Sequence, residues 1–204
     1  GAAFMSPRKL APTPDGGVIS YSAAGGDTLA LVRHAANGDV LWVQGVVPVN
    51  DDVAQSHRIY SVGGVVIKPT TPGHFEIFVA GSLNNNSIAF DDDPFFLKFD
   101  DTGALLSSTR YSSTNMLETV RDAILLNDGK LLLAGEARGN SDGTPINAGA
   151  EWGGWLMKIN PDTNGVIWSV RSKPAISWNK VTESPDGIIF TAGNFLPIVT
   201  ADIP

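Results

Sequence analysis

The chain has no cysteine. That excludes a disulfide framework and any thiolate metal site. Its 204 residues contain no run of roughly 18 uninterrupted apolar residues, the length a membrane-spanning helix needs. Cations are scarce: 14 Lys and Arg face 21 Asp and Glu, for a net charge of -7. Such a surface repels phosphate backbones and anionic lipid, which argues against nucleic acid and against membrane surfaces as partners. No stretch keeps a helical apolar period between caps. The nucleophile elbow, the H-E-x-x-H zinc motif and the P-loop are also missing. What remains is 43% hydrophobic residues, enough for a core, with 22 Gly and 13 Pro to punctuate them. Residues 1–5 stand apart, because Gly1 to Phe4 precede Met5 and read as a cloning remnant or a cleaved end.

Four hairpin phrases recur. They are PDGGVISYSA from Pro14, PGHFEIFVAG from Pro72, NDGKLLLAGE from Asn127 and PDGIIFTAGN from Pro185. Their turn glycines, Gly16, Gly73, Gly129 and Gly187, step by 57, 56 and 58 residues. A second turn follows in three repeats, at Gly38, Gly103 and Gly165. Asx-Gly between apolar runs is a strong hairpin signal, because glycine accepts positive φ without steric cost. The same reading assigns most of the Asp residues to turn chemistry rather than catalysis.

Each repeat therefore holds two hairpins, or four short strands, here called A to D. In the third repeat, A is expected near 119–126, B near 130–135, C near 154–159 and D near 166–171. Within C, Trp155, Met157 and Ile159 share one face. Tandem four-stranded antiparallel units of this length predict an all-β β-propeller with about three and a half blades. The single propeller region runs 6–204, with repeats near 6–50, 51–115, 116–175 and a partial one at 176–204. Closed propellers usually have about 4–8 blades. The expectation is thus a ring completed by further blades or by another chain. A four-bladed ring is the rival, in which FLPIVTA and the N-terminal segment would supply the last two strands.

The composite pattern is a D-G turn and an Ala-Gly step, then an aliphatic run with Lys or Arg, then N-G-x-x-x-W. It is best seen from LLNDGKLLLAGEA through WGGWLMKINPDTNGVIWSV. It resembles the tandem repeats of secreted and surface-anchored bacterial β-propellers. The fragment NPDTNGVIWSV also looks like the quinoprotein-type repeat, in which an Asp, a Thr-Gly turn and a Trp lock adjacent blades. Trp42 and Trp168 occupy the Trp place, Ser107 stands there in the second repeat, and Asn164 interrupts Thr163-Gly165. The adjacent cysteine pair found in many of those enzymes cannot exist here. The resemblance implies a fold and an extracellular or cell-surface location; it implies no particular activity.

In propellers the B–C and D–A loops share the face that usually carries the site. The B–C loops lengthen along the chain, and long polar loops on a rigid scaffold suit binding. In the third, Trp152 and Trp155 lie near Glu151, Asp142 and Asn140. Trp178 is expected in a D–A loop on the same face. Indole faces beside amides and carboxylates hold sugars, by stacking and hydroxyl hydrogen bonds. Trp155 falls at a core position of strand C, which leaves Trp152 and Trp178 as the ligand candidates. In the second B–C loop, Asn84, Asn85, Asn86, Asp91, Asp92 and Asp93 offer hard oxygen ligands suited to calcium. The alternative for them is a solvated acidic loop. His34, His57 and His74 are not expected to converge. Glu118, Glu136, Glu151 and Glu183 are the candidates for a glycosidase-like carboxylate pair, while Arg121 and Asp122 read as structural polar contacts.

The expected function is a non-catalytic extracellular or surface module that binds a protein or glycan through these loops, without an obligatory cofactor, calcium being possible. An enzyme with carboxylates at the propeller funnel (glycosidase, lyase or quinoprotein-like) is one alternative, and a structural unit of a larger assembly is another.

Overall fold

A computed structural model describes residues 9–23, 28–47, 57–85, 92–111, 116–139, 151–172 and 176–195. Every regular element in them is a strand. The first sheet contains β1 (Lys9–Pro12), β2 (Val18–Ala23), β3 (Leu29–His34) and β4 (Val40–Val46). The second contains β5 (His57–Pro69), β6 (Phe75–Asn85), β7 (Asp92–Asp100) and β8 (Leu105–Arg110). The third contains β9 (Met116–Leu125), β10 (Leu131–Gly139), β11 (Glu151–Asn160) and β12 (Gly165–Arg171). The fourth pairs β13 (Ile176–Glu183) with β14 (Ile189–Phe195). Each sheet is an antiparallel meander with its strands in chain order. Residues Lys9–Pro12 of the N-terminal segment pair with β2, as the first strand of the first sheet.

The predicted turns are present, and their geometry is specific. In the Leu126–Lys130 turn, the Gly129 amide donates to the Leu126 carbonyl at 2.9 Å and the Leu126 amide to the Lys130 carbonyl at 2.8 Å. Gly129 sits at φ 74°, and Gly16, Gly38, Gly73, Gly103 and Gly187 sit between 81° and 90°. The exception is the third repeat's second turn. There Asn164 takes the left-handed conformation at φ 57°, the role the sequence reading gave to Gly165. Asn tolerates that region better than other side-chain-bearing residues. The turn carboxylates serve their own loops: Asp100 accepts from the amides of Thr102 and Ala104, both at 2.9 Å.

The recurring Ala-Gly step has a separate cause. Opposite it, the first strand of the sheet carries a β-bulge. In the third sheet Gly135 faces Val120 and Ala134 faces Asp122, which leaves Arg121 as the extra residue. A Cβ on Gly135 would lie 1.8 Å from the Thr119 carbonyl oxygen, so only glycine fits. Gly193 meets the Ser177 carbonyl in the same way, and Gly81 the Ser61 carbonyl. In the first sheet β1 and β2 pair without a bulge, and Ser22 stands six residues after Gly16, where Gly135 follows Gly129 and Gly193 follows Gly187.

The sheets pack face to face in succession. Ile19, Leu29, Leu31, Ile77, Val79, Phe95, Leu97 and Phe99 fill the layer between the first and second. Phe78, Ala80, Phe96, Val120, Leu133, Trp155, Met157 and Ile159 fill the next layer. A smaller cluster of Leu126, Leu132, Ala134 and Val181 joins the third to the fourth. The middle strands of the second and third sheets are covered on both faces, which is why FFL and LLLA read as unbroken apolar runs. Burying one such large side chain contributes about 1.5–3 kcal/mol. The first strands lie together, β5 against β9 and β9 against β13. Gly63 and Gly64 permit this: Cβ atoms there would press on Val120 and Ala123 at 2.4 and 2.8 Å.

Candidate functional site

Two polar regions follow from this arrangement. The first lies among the bulged inner strands. A bulge leaves backbone groups outside the strand ladder, and Lys9 of β1 takes up those of two sheets. Its ammonium donates to the Gly63 carbonyl and, at 3.1 Å, to that of Arg121. It also lies 3.4 Å from Asp122 Oδ1. Asp122 is 8% exposed. It further accepts from Lys180 Nζ and from the Val181 amide, both at 3.1 Å. One carboxylate thus joins the first, third and fourth sheets. Burial lowers the Lys9 pKa, Asp122 opposes that shift, and the charge of Lys180 adds to it. Next to it Arg121 pairs with Glu136 at 2.5 Å. The reading of Arg121 and Asp122 as structural contacts matches this geometry.

The second region is the strand end toward the B–C loops. The loops predicted there are shorter than expected, because the strands run further: β9 starts at Met116, β10 reaches Gly139 and β11 starts at Glu151. Asp92 and Asp93 are therefore not a solvated loop. They begin β7 and are 2% and 1% exposed. Asp93 accepts from Arg110 Nε at 2.7 Å, and Asp92 accepts from Asn84 Nδ2 at 2.5 Å. Asn85 ends β6, paired with His57. Asp91 and Asn86 lie outside the described residues. Among the described residues no three His, Asp or Glu side chains are grouped to hold a metal ion. Glu118 of β9, 4% exposed, lies at the same strand end, opposite Ala137.

Trp152 is in β11, opposite Arg138 of β10. The Arg138 guanidinium lies 5.5 Å from the indole centroid, a cation–π contact that fixes the ring at the sheet end. Glu151 is the neighbouring strand residue, paired with Gly139. Asn140 and Asp142 lie outside the described residues. Trp178 is not in a loop. It lies in β13 and packs on Gly154, where a Cβ would come within 2.3 Å of its indole nitrogen. The two tryptophans proposed as ligand platforms therefore differ: Trp152 is at the loop end, and Trp178 is a wedge between the third and fourth sheets. Trp155 is core, as expected, with its Nε1–H donated to Ser169 Oγ at 2.9 Å.

Glu183, another carboxylate candidate, accepts the Asn127 amide at 2.5 Å at the opposite, turn end. It is not near Glu118. His34 lies 3.4 Å from Ser20 Oγ, and His74 lies 2.9 Å from Asp101 Oδ2, so the two serve separate contacts. Sequence reasoning missed Lys9 and Lys180, because no local motif marks a lysine that reaches another sheet's bulge. The recurring Ala-Gly step was the available signal for the bulges.

No family model and no curated protein matches the chain. Among solved structures, a mannose phosphorylase from Leishmania mexicana in complex with phosphate ion is similar over 91% of this chain, at 9% identity and a TM-score of 0.47. The chain spans 62% of the length of that structure. Among the described residues, no helix is long and apolar enough to cross a membrane.

Proposed function

We propose that the chain is an arc of a β-propeller and acts as a non-catalytic interaction module, at the cell surface or outside the cell. Its loop end would bind a glycan or a protein. The radial stacking of meander sheets, with their first strands in mutual contact, supports the propeller reading. The observation that carries the binding reading is the Arg138–Trp152 pair at the end of the third sheet. An indole held by a guanidinium offers an apolar face for a sugar ring and a cation for an acidic group or carbonyl. The inner carboxylates favour this over the funnel enzyme. Asp122 and Glu136 are taken up by ion pairs with Lys9, Lys180 and Arg121, which commit them to contacts between and within the sheets.

The test is a panel of neutral and acidic glycans, read by intrinsic fluorescence and repeated with Trp152→Ala. A saturable shift that the variant loses, at unchanged melting temperature, is expected. Silence across the panel removes the glycan half of the reading. A shift unchanged in the variant moves the site away from Trp152.

A further inference from the structure

The outer edge of the first sheet grips the second sheet by a device that the third sheet repeats, and among the described residues the third sheet's copy meets no such turn. In the first sheet, Trp42 of β4 pairs across from Arg33 of β3, immediately before a register shift. Both point at the β7–β8 turn of the second sheet. Trp42 Nε1 donates to the Asp101 carbonyl at 3.1 Å, and Arg33 Nη1 donates to the same oxygen at 2.5 Å. Gly103 lies flat under the indole, where a Cβ would meet ring atoms at 3.1–3.3 Å. Arg33 is held from behind by Asp15 at 2.6 Å.

The third sheet repeats every part. Trp168 of β12 pairs across from Lys158 of β11, again just before a register shift. Lys158 is held from behind by Asp128 at 2.7 Å. The face is also the equivalent one. Trp155, Met157 and Ile159 point to the second sheet, so Leu156, Lys158, Trp168 and Val170 point toward the fourth. There the described sheet has only β13 and β14. Trp168 is 36% exposed and Val170 52% exposed, and both lie on the outer continuation of the interface that Leu156, Trp178 and Val181 already form.

We propose that the Lys158–Trp168–Val170 face is a docking site for a β-hairpin of this repeat's own outer-strand type, laid along the edge of β14 that no strand pairs with among the described residues. The hairpin's turn would place a glycine under the Trp168 indole and a carbonyl against Trp168 Nε1 and Lys158. This inference rests on sheet packing and is independent of ligand binding at the loop end.

The test uses the full chain and a fluorescently labelled 97–109 hairpin (LKFDDTGALLSST) whose ends are covalently closed so that the turn is preformed. Saturable anisotropy is expected, weakened at least tenfold by Trp168→Ala in the protein, and at least tenfold by Gly103→Val in the peptide. Trp42→Ala should leave binding unchanged. Trp168 is exposed, so its truncation should not unfold the chain, and a thermal melt checks this. The proposal is overturned by absent binding, or by binding that ignores Trp168→Ala. It is also overturned if sedimentation shows a self-associated chain that Trp168→Ala dissociates, because the face would then be covered by a second copy.

Discussion

Glycine does two different jobs in this chain, and mutation should separate them. Gly129 needs only positive φ, since a Cβ there would meet nothing within 4 Å. Gly135 needs only space. Gly129→Ala should therefore cost about 1–2 kcal/mol, the strain of a left-handed side-chain-bearing residue. Gly135→Ala should cost more, because the Thr119 carbonyl must move and the bulge with it. Urea denaturation of both variants checks the order. The turn carboxylates provide a second test. Thr13 and then Arg33 hold the Asp15 pKa down to about 2. Asp100, Asp128 and Asp186 are lowered chiefly by Thr102, Lys158 and Ser184. Folded-state values below the ordinary Asp value of about 4 mean stability that is complete above that pH and lost as pH falls toward 2. The melting temperature should drop through that window, and Asp15→Ala should drop less steeply.

Between elements, a few polar contacts set how the sheets meet. Asp122 serves Lys9, Lys180 and the Val181 amide. Asp122→Ala leaves a buried amide without its acceptor and should destabilise by about 1–3 kcal/mol. Lys180→Ala should change little, because that side chain is 66% exposed. Thermal melts of the two variants distinguish a buried hub from a surface ion pair. The second sheet lacks the Trp of the outer strand. Ser107 stands there, and its buried Oγ has no partner among the described residues. Tyr111 makes the tie to the third sheet instead, donating to the Asn164 carbonyl at 3.1 Å, and burial pushes its pKa up to about 12. Ser107→Ala should be neutral or stabilising by up to about 1 kcal/mol, since it removes a desolvated hydroxyl. A chemical denaturation midpoint at or above that of the parent chain is the expected result.

At the scale of the whole molecule, the first and fourth sheets leave apolar side chains exposed among the described residues. Leu10, Leu41 and Val43 are 52–64% exposed on the first sheet, and Ile188 and Phe190 are 53% and 55% exposed on the fourth. Paired apolar faces of this kind drive association. The double substitution Ile188→Lys and Phe190→Lys should raise solubility and reduce binding of an apolar dye, with little change in melting temperature. An unchanged dye signal would mean those side chains are covered in solution.

Sequence alone determined the local features. The 57-residue spacing, the turn glycines and the alternation of Trp155, Met157 and Ile159 follow from backbone sterics and strand period, which act within a few residues. Trp152 was legible as an aromatic at a loop end, but its Arg138 partner, fourteen residues away and opposite it in the strand register, was not. The tertiary structure decided the rest. It moved Trp178 and Asp92 from loops into strands, gave Asn164 the place expected of Gly165, and gathered Lys9, Asp122 and Lys180 from three sheets. Those outcomes depend on which bulge faces which neighbour, and such pairing between distant segments leaves no periodic trace in a single sequence.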